Sequence, residues 1–318
     1  MHTGGAKPPS LGKTTCNRYS HVKNCFSVVR PPERQRRGHP TTNGGNMTGS
    51  LEGRVAFITG VARGQGRAHA VKLASLGCDI IGIDICENIA SMAYPNATFE
   101  DLEETIALVE KQDRRILARK GDVRDLEGMR AVFREGYEQF GRLDIVLANA
   151  GIVRMADSVN PAQEWKDIID VNLTGVWNTT QVTRQALIDG GRGGVMVLTS
   201  SSAGIKATGT PLAGGQAYNA SKRGVVALMH TLALDLAPHR IRVNTIHPTG
   251  VVSGMTQNDE MAGMIAAQDP GLMAMQNALP IEILQPEDIA NAVAFLVSDE
   301  AYYITGLQFA LDAGFTIR

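Results

Sequence analysis

The 318-residue chain lacks any apolar run approaching the roughly 20 residues that cross a bilayer as a helix, so no membrane-spanning segment and no membrane partner is expected. It lacks an excess of either charge: Lys plus Arg is 31 and Asp plus Glu is 32, which offers no overall attraction to nucleic acid. Cysteine is scarce. Cys16, Cys25, Cys78 and Cys86 show no metal-type spacing, so neither a metal site nor a disulfide framework is expected, and a reducing cytoplasm is the default. Internal repeats are absent as well. What remains, 43% apolar and 20% charged residues, is the composition of a soluble globular protein with ample material for a core.

Residues 1–50 differ from the rest. Lys7, Lys13, Arg18, Lys23, Arg30, Arg34, Arg36 and Arg37 face a single acid before position 46, Glu33, and no period of 2 or 3.6 survives among Pro, Gly, Ser, Thr and Asn. Such a segment buries too little apolar surface to offset its ordering entropy, so a disordered basic extension is expected. An organelle presequence would share the composition, but an amphipathic helix is not evident. Met47, just before the domain, is a plausible alternative translation start.

Residues 51–318 read as one domain, organised around Arg54–Leu76. Val55, Ala56, Phe57 and Ile58 form a short apolar run suited to a strand buried on both faces. Thr59-Gly60 breaks it, Gly64 and Gly66 follow in a sharp turn, and from Arg67 the pattern turns helical. A strand, a glycine turn and a helix in that order make a dinucleotide site, because backbone N–H groups and the helix N-terminus can meet a pyrophosphate. The competing reading is an ordinary glycine-rich turn. Asp84 favours the first, since it ends the next apolar run roughly 20 residues on, where a carboxylate accepts hydrogen bonds from the adenosine ribose.

Strands then alternate with helices, the signature of a doubly wound parallel α/β sheet of Rossmann type. Strands are expected over 116–118, 143–147, 195–198, 241–246 and 308–311, and helices over 99–112, 126–140, 161–188, 217–236 and 286–297. Cys86–Thr98 is a long connection without a period, and Met255–Gln285 is Met-rich and irregular.

In this order the motifs Thr59-Gly60-x-x-x-Gly64-x-Gly66, Asp122-Val123, Asn149-Ala150-Gly151, Asn172, Ser201 and Tyr218-x-x-x-Lys222 resemble those of the short-chain dehydrogenase/reductase family, across Leu51 to the C-terminus. The resemblance implies a catalytic set of Ser201, Tyr218, Lys222 and Asn172. Tyr and Lys four apart share a helical face, and the Lys222 ammonium and the positive nicotinamide ring both favour tyrosinate, lowering the Tyr218 pKa. Tyr218 then accepts the alcohol proton, Ser201 holds the substrate oxygen, and Asn172 shapes a water relay behind Lys222. Ser201 is preferred to Ser200 and Ser202 because the family pattern places glycine three residues later, here Gly204; a turn-capping role competes. His247 precedes Pro248 at a strand end, where a structural or cofactor-side role is expected.

Cofactor contacts implied by the same resemblance are Gly60, Arg63, Gly64, Gln65 and Gly66, then Asp84 and Ile85, Asp122 and Val123, Asn149, Ala150 and Gly151. Tyr218, Lys222, Pro248, Gly250, Val251 and Ser253 complete them. Pro248-Thr249-Gly250 departs by one residue from the commoner Pro-Gly. Arg63 is a base able to meet a 2′-phosphate, yet Asp84 repels one, so NAD is favoured over NADP. A homotetramer is the family expectation.

Arg63-Gly-Gln-Gly-Arg67, Asp84-Ile-Cys, the long Cys86–Thr98 connection and His247-Pro-Thr-Gly look like the mycofactocin-coupled subgroup that includes the carveol dehydrogenases. That likeness implies oxidation of a secondary or small apolar alcohol, with tightly bound NAD reoxidised by a redox carrier, mycofactocin. Met92, Tyr94 and Pro95 of the connection are expected to cover the adenine, against a surface loop that touches no cofactor; Met255, Met261, Met264, Met273 and Met275 are expected to line an apolar substrate lid, against plain packing or an oligomer contact. A freely exchanging NAD(P)-dependent carbonyl reductase is the rival enzyme reading. A non-catalytic NAD-binding sensor would not need Tyr218 and Lys222.

Overall fold

Every residue of Val55–Thr59 is buried, and this segment forms β1, an interior strand of a seven-stranded sheet. The computed structural model describes residues 1, 2, 4, 51–155, 157–206, 210–269 and 275–318. The chain divides into two units, Met1–Asn46 and Met47–Arg318, and the account below concerns the second. The extension expected over residues 1–50 lies, but for residues 1, 2 and 4, outside the described residues.

The other strands are β2 (Asp79–Asp84), β3 (Ile116–Lys120), β4 (Ile145–Ala148), β5 (Gly194–Thr199), β6 (Ile241–Pro248) and β7 (Gln308–Leu311). They run parallel in the order β3-β2-β1-β4-β5-β6-β7. Period-2 alternation splits the core in two. Val55, Phe57, Ile81, Ile83, Val146 and Met196 join one buried cluster, while Ala56, Ile58, Ile80, Ile145, Leu147 and Val195 join the other. Strands apolar on both sides require helices on both faces, which is the expected doubly wound architecture.

The helices are α1 (Gly64–Ser75), α2 (Phe99–Glu110), α3 (Leu126–Phe140), α4 (Pro161–Ile169), α5 (Gly175–Gly190), α6 (Ala213–Leu236), α7 (Asp259–Ala266) and α8 (Pro286–Val297). Of the two residues expected to cap α2, Thr98 is the N-cap and Asp101 completes a capping box. Two differences from the sequence reading matter. The single helix expected over 161–188 is interrupted by a π-helical turn, Asp170–Thr174, between α4 and α5. And the Met-rich segment contains α7, begun by Asn258, whose side chain accepts from the Met261 N–H at 2.9 Å.

The strand order reverses between β1 and β4. β1 runs on into β2 on one side and pairs with β4 on the other, so the loops leaving their C-terminal ends diverge and open a crevice.

Candidate active site

Two adjoining cavities lie above the C-terminal strand ends. The smaller, about 140 Å³, is lined by the glycine turn, the β2 end and the loops after β3 and β4. The larger, about 710 Å³, is lined by the β5 and β6 ends, α6 and the segment after β6. Gln65, Asn149, Gly151, Ser253 and Met255 border both.

Gly66 shows why the turn is built as it is. A Cβ there would stand 1.8 Å from the Gly60 carbonyl oxygen, so only glycine lets α1 start this close to the β1 end. The Thr59 hydroxyl accepts from the N–H groups of Asn149 (3.0 Å) and Ala150 (3.2 Å), and the Asn149 amide donates to the Thr59 carbonyl at 3.1 Å. The β4 loop is thereby tied to the turn. Asp84 accepts from Ala62 N–H at 2.9 Å and Cys86 N–H at 3.3 Å, and lines the smaller cavity. Burial, opposed by these bonds, raises its pKa above the usual carboxylate value.

Gln65 Oε1 is buried, and among the described residues it has no hydrogen-bond partner. An orphaned polar atom between the cavities, a helix N-terminus and a carboxylate at the β2 end together fit a dinucleotide. Gly60, Arg63, Gly64, Gly66 and Ile85 border the smaller cavity, as do Asp122, Val123 and Ala150. Tyr218, Lys222, Pro248, Gly250 and Val251 border the larger.

Arg63 borders the smaller cavity and also reaches beyond the glycine turn. Its guanidinium donates to the Pro95 carbonyl at 2.7 Å and lies beside Gly254, where a Cβ would meet it at 2.8 Å. It therefore bridges the Cys86–Thr98 connection and the segment after β6. Within that connection Ile89, Tyr94, Asn96 and Ala97 line the smaller cavity, whereas Met92 packs into the core and Pro95 offers its carbonyl to Arg63. Ser91 Oγ donates to Asp167 at 2.7 Å, and Arg154 donates to the Ser91 carbonyl at 3.1 Å. The connection is fastened at both ends and in its middle.

The α6 N-terminal half carries Tyr218 and Lys222, with the Lys222 Nζ 5.5 Å from the phenol ring centre. Both border the larger cavity with Ser201. The expected lowering of the Tyr218 pKa needs the nicotinamide ring as well as Lys222; the protein's own groups act the other way. Burial pushes the phenol up, and the opposing influence is a hydrogen bond with the Ser201 hydroxyl. Burial also pushes Lys222 down to about 8, while its ammonium donates to the Thr199 carbonyl at 2.9 Å.

Ser200 and Ser202 are buried, and the Ser200 hydroxyl is spent on the Lys222 carbonyl at 2.8 Å. Ser201 faces the cavity, and its Oγ also accepts from Ala203 N–H at 3.2 Å, so it caps a turn as well. Asn172 sits in the π turn with each end of its amide bonded once: Oδ1 accepts from Ile152 N–H and Nδ2 donates to Ile152 O, each at 2.8 Å. Its side chain holds the β4 loop, and its Oδ1 and the Lys222 Nζ both lie beside Gly151, where a Cβ would stand 3.4 and 3.5 Å from them.

Met255, Met261, Met264 and Met275 line the larger cavity with Met155, Val153 and Leu212; Met273 lies outside the described residues. Residues that sequence reasoning missed include Ile89, Asn96 and Ala97, and Arg154, whose Nε lies 3.7 Å from both Glu164 and Glu260. No local period marks them. Among the described residues no three His, Cys, Asp or Glu side chains are placed to hold a metal, and no helix is long and apolar enough to cross a membrane.

A family model described as enoyl-(acyl carrier protein) reductase matches residues 60–316. An uncharacterized oxidoreductase of Mycobacterium tuberculosis is 51% identical over 266 residues, covering 83% of this chain and 97% of its own. The (-)-trans-carveol dehydrogenase of Rhodococcus erythropolis is 44% identical over 281 residues, covering 84% and 99%. The crystal structure of carveol dehydrogenase from Mycobacterium avium in complex with NAD superposes with a TM-score of 0.79 at 44% identity, covering 85% of this chain and all (100%) of that one.

Proposed function

The chain belongs to the short-chain dehydrogenase/reductase family, and from that premise we propose that it is an NAD-dependent dehydrogenase oxidising a secondary or small apolar alcohol to the carbonyl. The observation that carries this reading is the convergence of Ser201, Tyr218 and Lys222 on one methionine-lined cavity that adjoins the dinucleotide cradle. NAD, when bound, supplies the acceptor for the hydride that leaves the carbinol carbon. The glycine turn would hold its pyrophosphate, Asp84 its adenosine ribose, and Lys222 its nicotinamide ribose.

Ser201 Oγ–H donates to the substrate oxygen and holds it beside Tyr218. Tyr218, once deprotonated, takes the hydroxyl proton, and Lys222, as an ammonium, stabilises the phenolate. Burial raises the phenol pKa and so makes it a strong base once ionised, at the cost of a small ionised fraction near neutrality. The Met155, Met261 and Met264 side chains shed water from the apolar body of the substrate.

The finer reading is that the NAD stays bound and is reoxidised by a separate carrier, mycofactocin. What supports it is the connection after β2, which borders the smaller cavity and is strapped by Arg63, Ser91 and Tyr94. We place the enzyme in a reducing cytoplasm, in keeping with the free thiols of Cys78 and Cys86. We also assign it a homotetrameric state, supported by exposed Trp165 and Trp177 on α4 and α5 and Phe295 on α8; light scattering on the purified protein tests it.

The deciding experiment is to denature purified protein, identify any released nucleotide, and assay intact protein with secondary alcohols with and without an artificial electron acceptor. Released NAD or NADH and turnover only with the acceptor are expected. Nucleotide-free protein that turns over freely with added NAD would replace the carrier reading with an ordinary dehydrogenase, and a preference for NADPH and ketones with the carbonyl reductase.

A further inference from the structure

His247 is fully buried on β6, and the chemistry proposed above does not use it. Its Nδ1 lies 2.7 Å from the Ser201 carbonyl oxygen and its Nε2 lies 2.8 Å from Thr245 Oγ1. A carbonyl oxygen only accepts, so Nδ1 carries the proton. Burial holds the imidazole below its usual pKa, against the Ser201 carbonyl, which favours the protonated form. The ring is therefore neutral, and its Nε2, at 2.8 Å, is a nearer acceptor for the Thr245 hydroxyl than the Leu307 carbonyl at 3.4 Å.

The Ser201 carbonyl also accepts from Gly204 N–H at 2.8 Å. A Cβ on Gly204 would stand 2.3 Å from Ser200 Oγ and 3.2 Å from His247 Cε1, so the turn is pressed against the ring. Ser200, by its bond to the Lys222 carbonyl, ties the same turn to α6. Ser201 thus has its carbonyl held from the sheet side and its Oγ held by Ala203 N–H, on a cavity wall that it shares with Tyr218.

We propose that His247 is a positioning residue: its Nδ1–H fixes the Ser201 backbone so that the Ser201 hydroxyl meets Tyr218 and the substrate oxygen. This rests on the reading of Tyr218 as proton acceptor, and an error of about 1 Å in such a contact is enough to cost on the order of 100-fold in rate.

The test compares His247→Phe, which removes both bonds, with His247→Asn, whose amide places a donor near the Nδ1 position. Tyr218 is titrated by carbon-13 NMR in protein with labelled tyrosine, its signal assigned with Tyr218→Phe; kcat, KM and the thermal midpoint are measured alongside. His247→Phe should raise the Tyr218 pKa by roughly half to one unit and lower kcat by roughly 10- to 100-fold with KM within about threefold. His247→Asn should restore most of both. Ser201→Ala should give the same rise, and adding His247→Phe to it should give no more.

A folded His247→Phe protein with an unshifted Tyr218 titration, or additive shifts in the double variant, would overturn the proposal. Should His247→Phe fail to fold, His247→Gln keeps the Thr245 partner while losing the donor to Ser201, and carries the same expectations. If Tyr218→Phe retained full activity, the acid–base reading would fall, yet the tyrosine titration would still report whether His247 sets the Ser201–Tyr218 contact.

Discussion

The Tyr94 hydroxyl accepts a 3.1 Å hydrogen bond from the backbone N–H of Val153, 59 residues away in sequence. Tyr94 borders the smaller cavity and Val153 the larger, so one bond joins the two walls. Arg154, the next residue, donates to the Ser91 carbonyl and approaches Glu260 on α7 at 3.7 Å. The connection after β2 and the methionine-bearing helix are thus held through the same short loop, which Asn172 and Thr59 also support.

Tyr218→Phe removes only the phenolic oxygen. Alcohol oxidation should drop below a few per cent of wild type while nucleotide affinity, measured by calorimetry on stripped protein, changes less than about threefold. Lys222→Ala should weaken both, since one ammonium serves the phenolate and the ribose. Substantial turnover by Tyr218→Phe would refute the assignment.

Asp84→Asn should narrow the preference for NAD over NADP by about tenfold or more, because the carboxylate no longer repels a 2′-phosphate. Dissociation constants for both nucleotides check this. Wild-type protein that already binds NADP more tightly would show the carboxylate argument to be wrong. The substitution also keeps only one strong acceptor for Ala62 and Cys86, so a small fall in thermal midpoint is expected with it.

The buried ammonium of Lys222 makes a stability prediction with a definite sign. Its folded pKa of about 8 lies below the ordinary value of 10.5. Between those pH values the unfolded chain binds more protons, so stability rises with pH, and below about 8 the full cost is present. A shift of this size corresponds to roughly 3 kcal/mol, from which the lost bond to Thr199 takes back about 1. Nucleotide-stripped Lys222→Met should therefore be more stable than wild type by about 2 kcal/mol at pH 7 in urea unfolding, with the gap closing by pH 10.5. An equal gap at both pH values would show that the charge is not its origin.

Much of this was legible because it is local. The α3 and α8 boundaries coincide with the sequence reading, and β7 does too, since caps, prolines and apolar periods mark their ends. The glycine turn and Tyr218-x-x-x-Lys222 carry their geometry in their spacing. The π turn at Asn172 left no trace, because one added backbone residue per turn changes neither composition nor amphipathic pattern. Arg63 was read from its neighbours in sequence, whereas its partner Pro95 is 32 residues on. For Tyr218 the sequence displayed the nearby positive charge and concealed the burial, and burial is the larger effect.

The last prediction concerns the strap over the dinucleotide cavity. Arg63 crosses from the glycine turn to the Pro95 carbonyl and lies against Gly254, so opening the cavity on that side requires the guanidinium to let go. Tyr94 closes the far side through Val153. Breaking one exposed bond costs little, but a ligand leaves only when the covers on both sides move, so the effect falls mainly on the off-rate. Arg63→Ala and Tyr94→Phe should each speed NADH release several-fold, read as loss of nucleotide fluorescence on dilution into excess NAD. The double variant, or replacement of residues 91–97 by a short Gly/Ser linker, should restore exchange and steady turnover with added NAD while Tyr218 chemistry persists. Release as slow from the linker variant as from wild type would mean that the connection lines the cavity without governing departure, and tight retention would then have to come from the cradle itself.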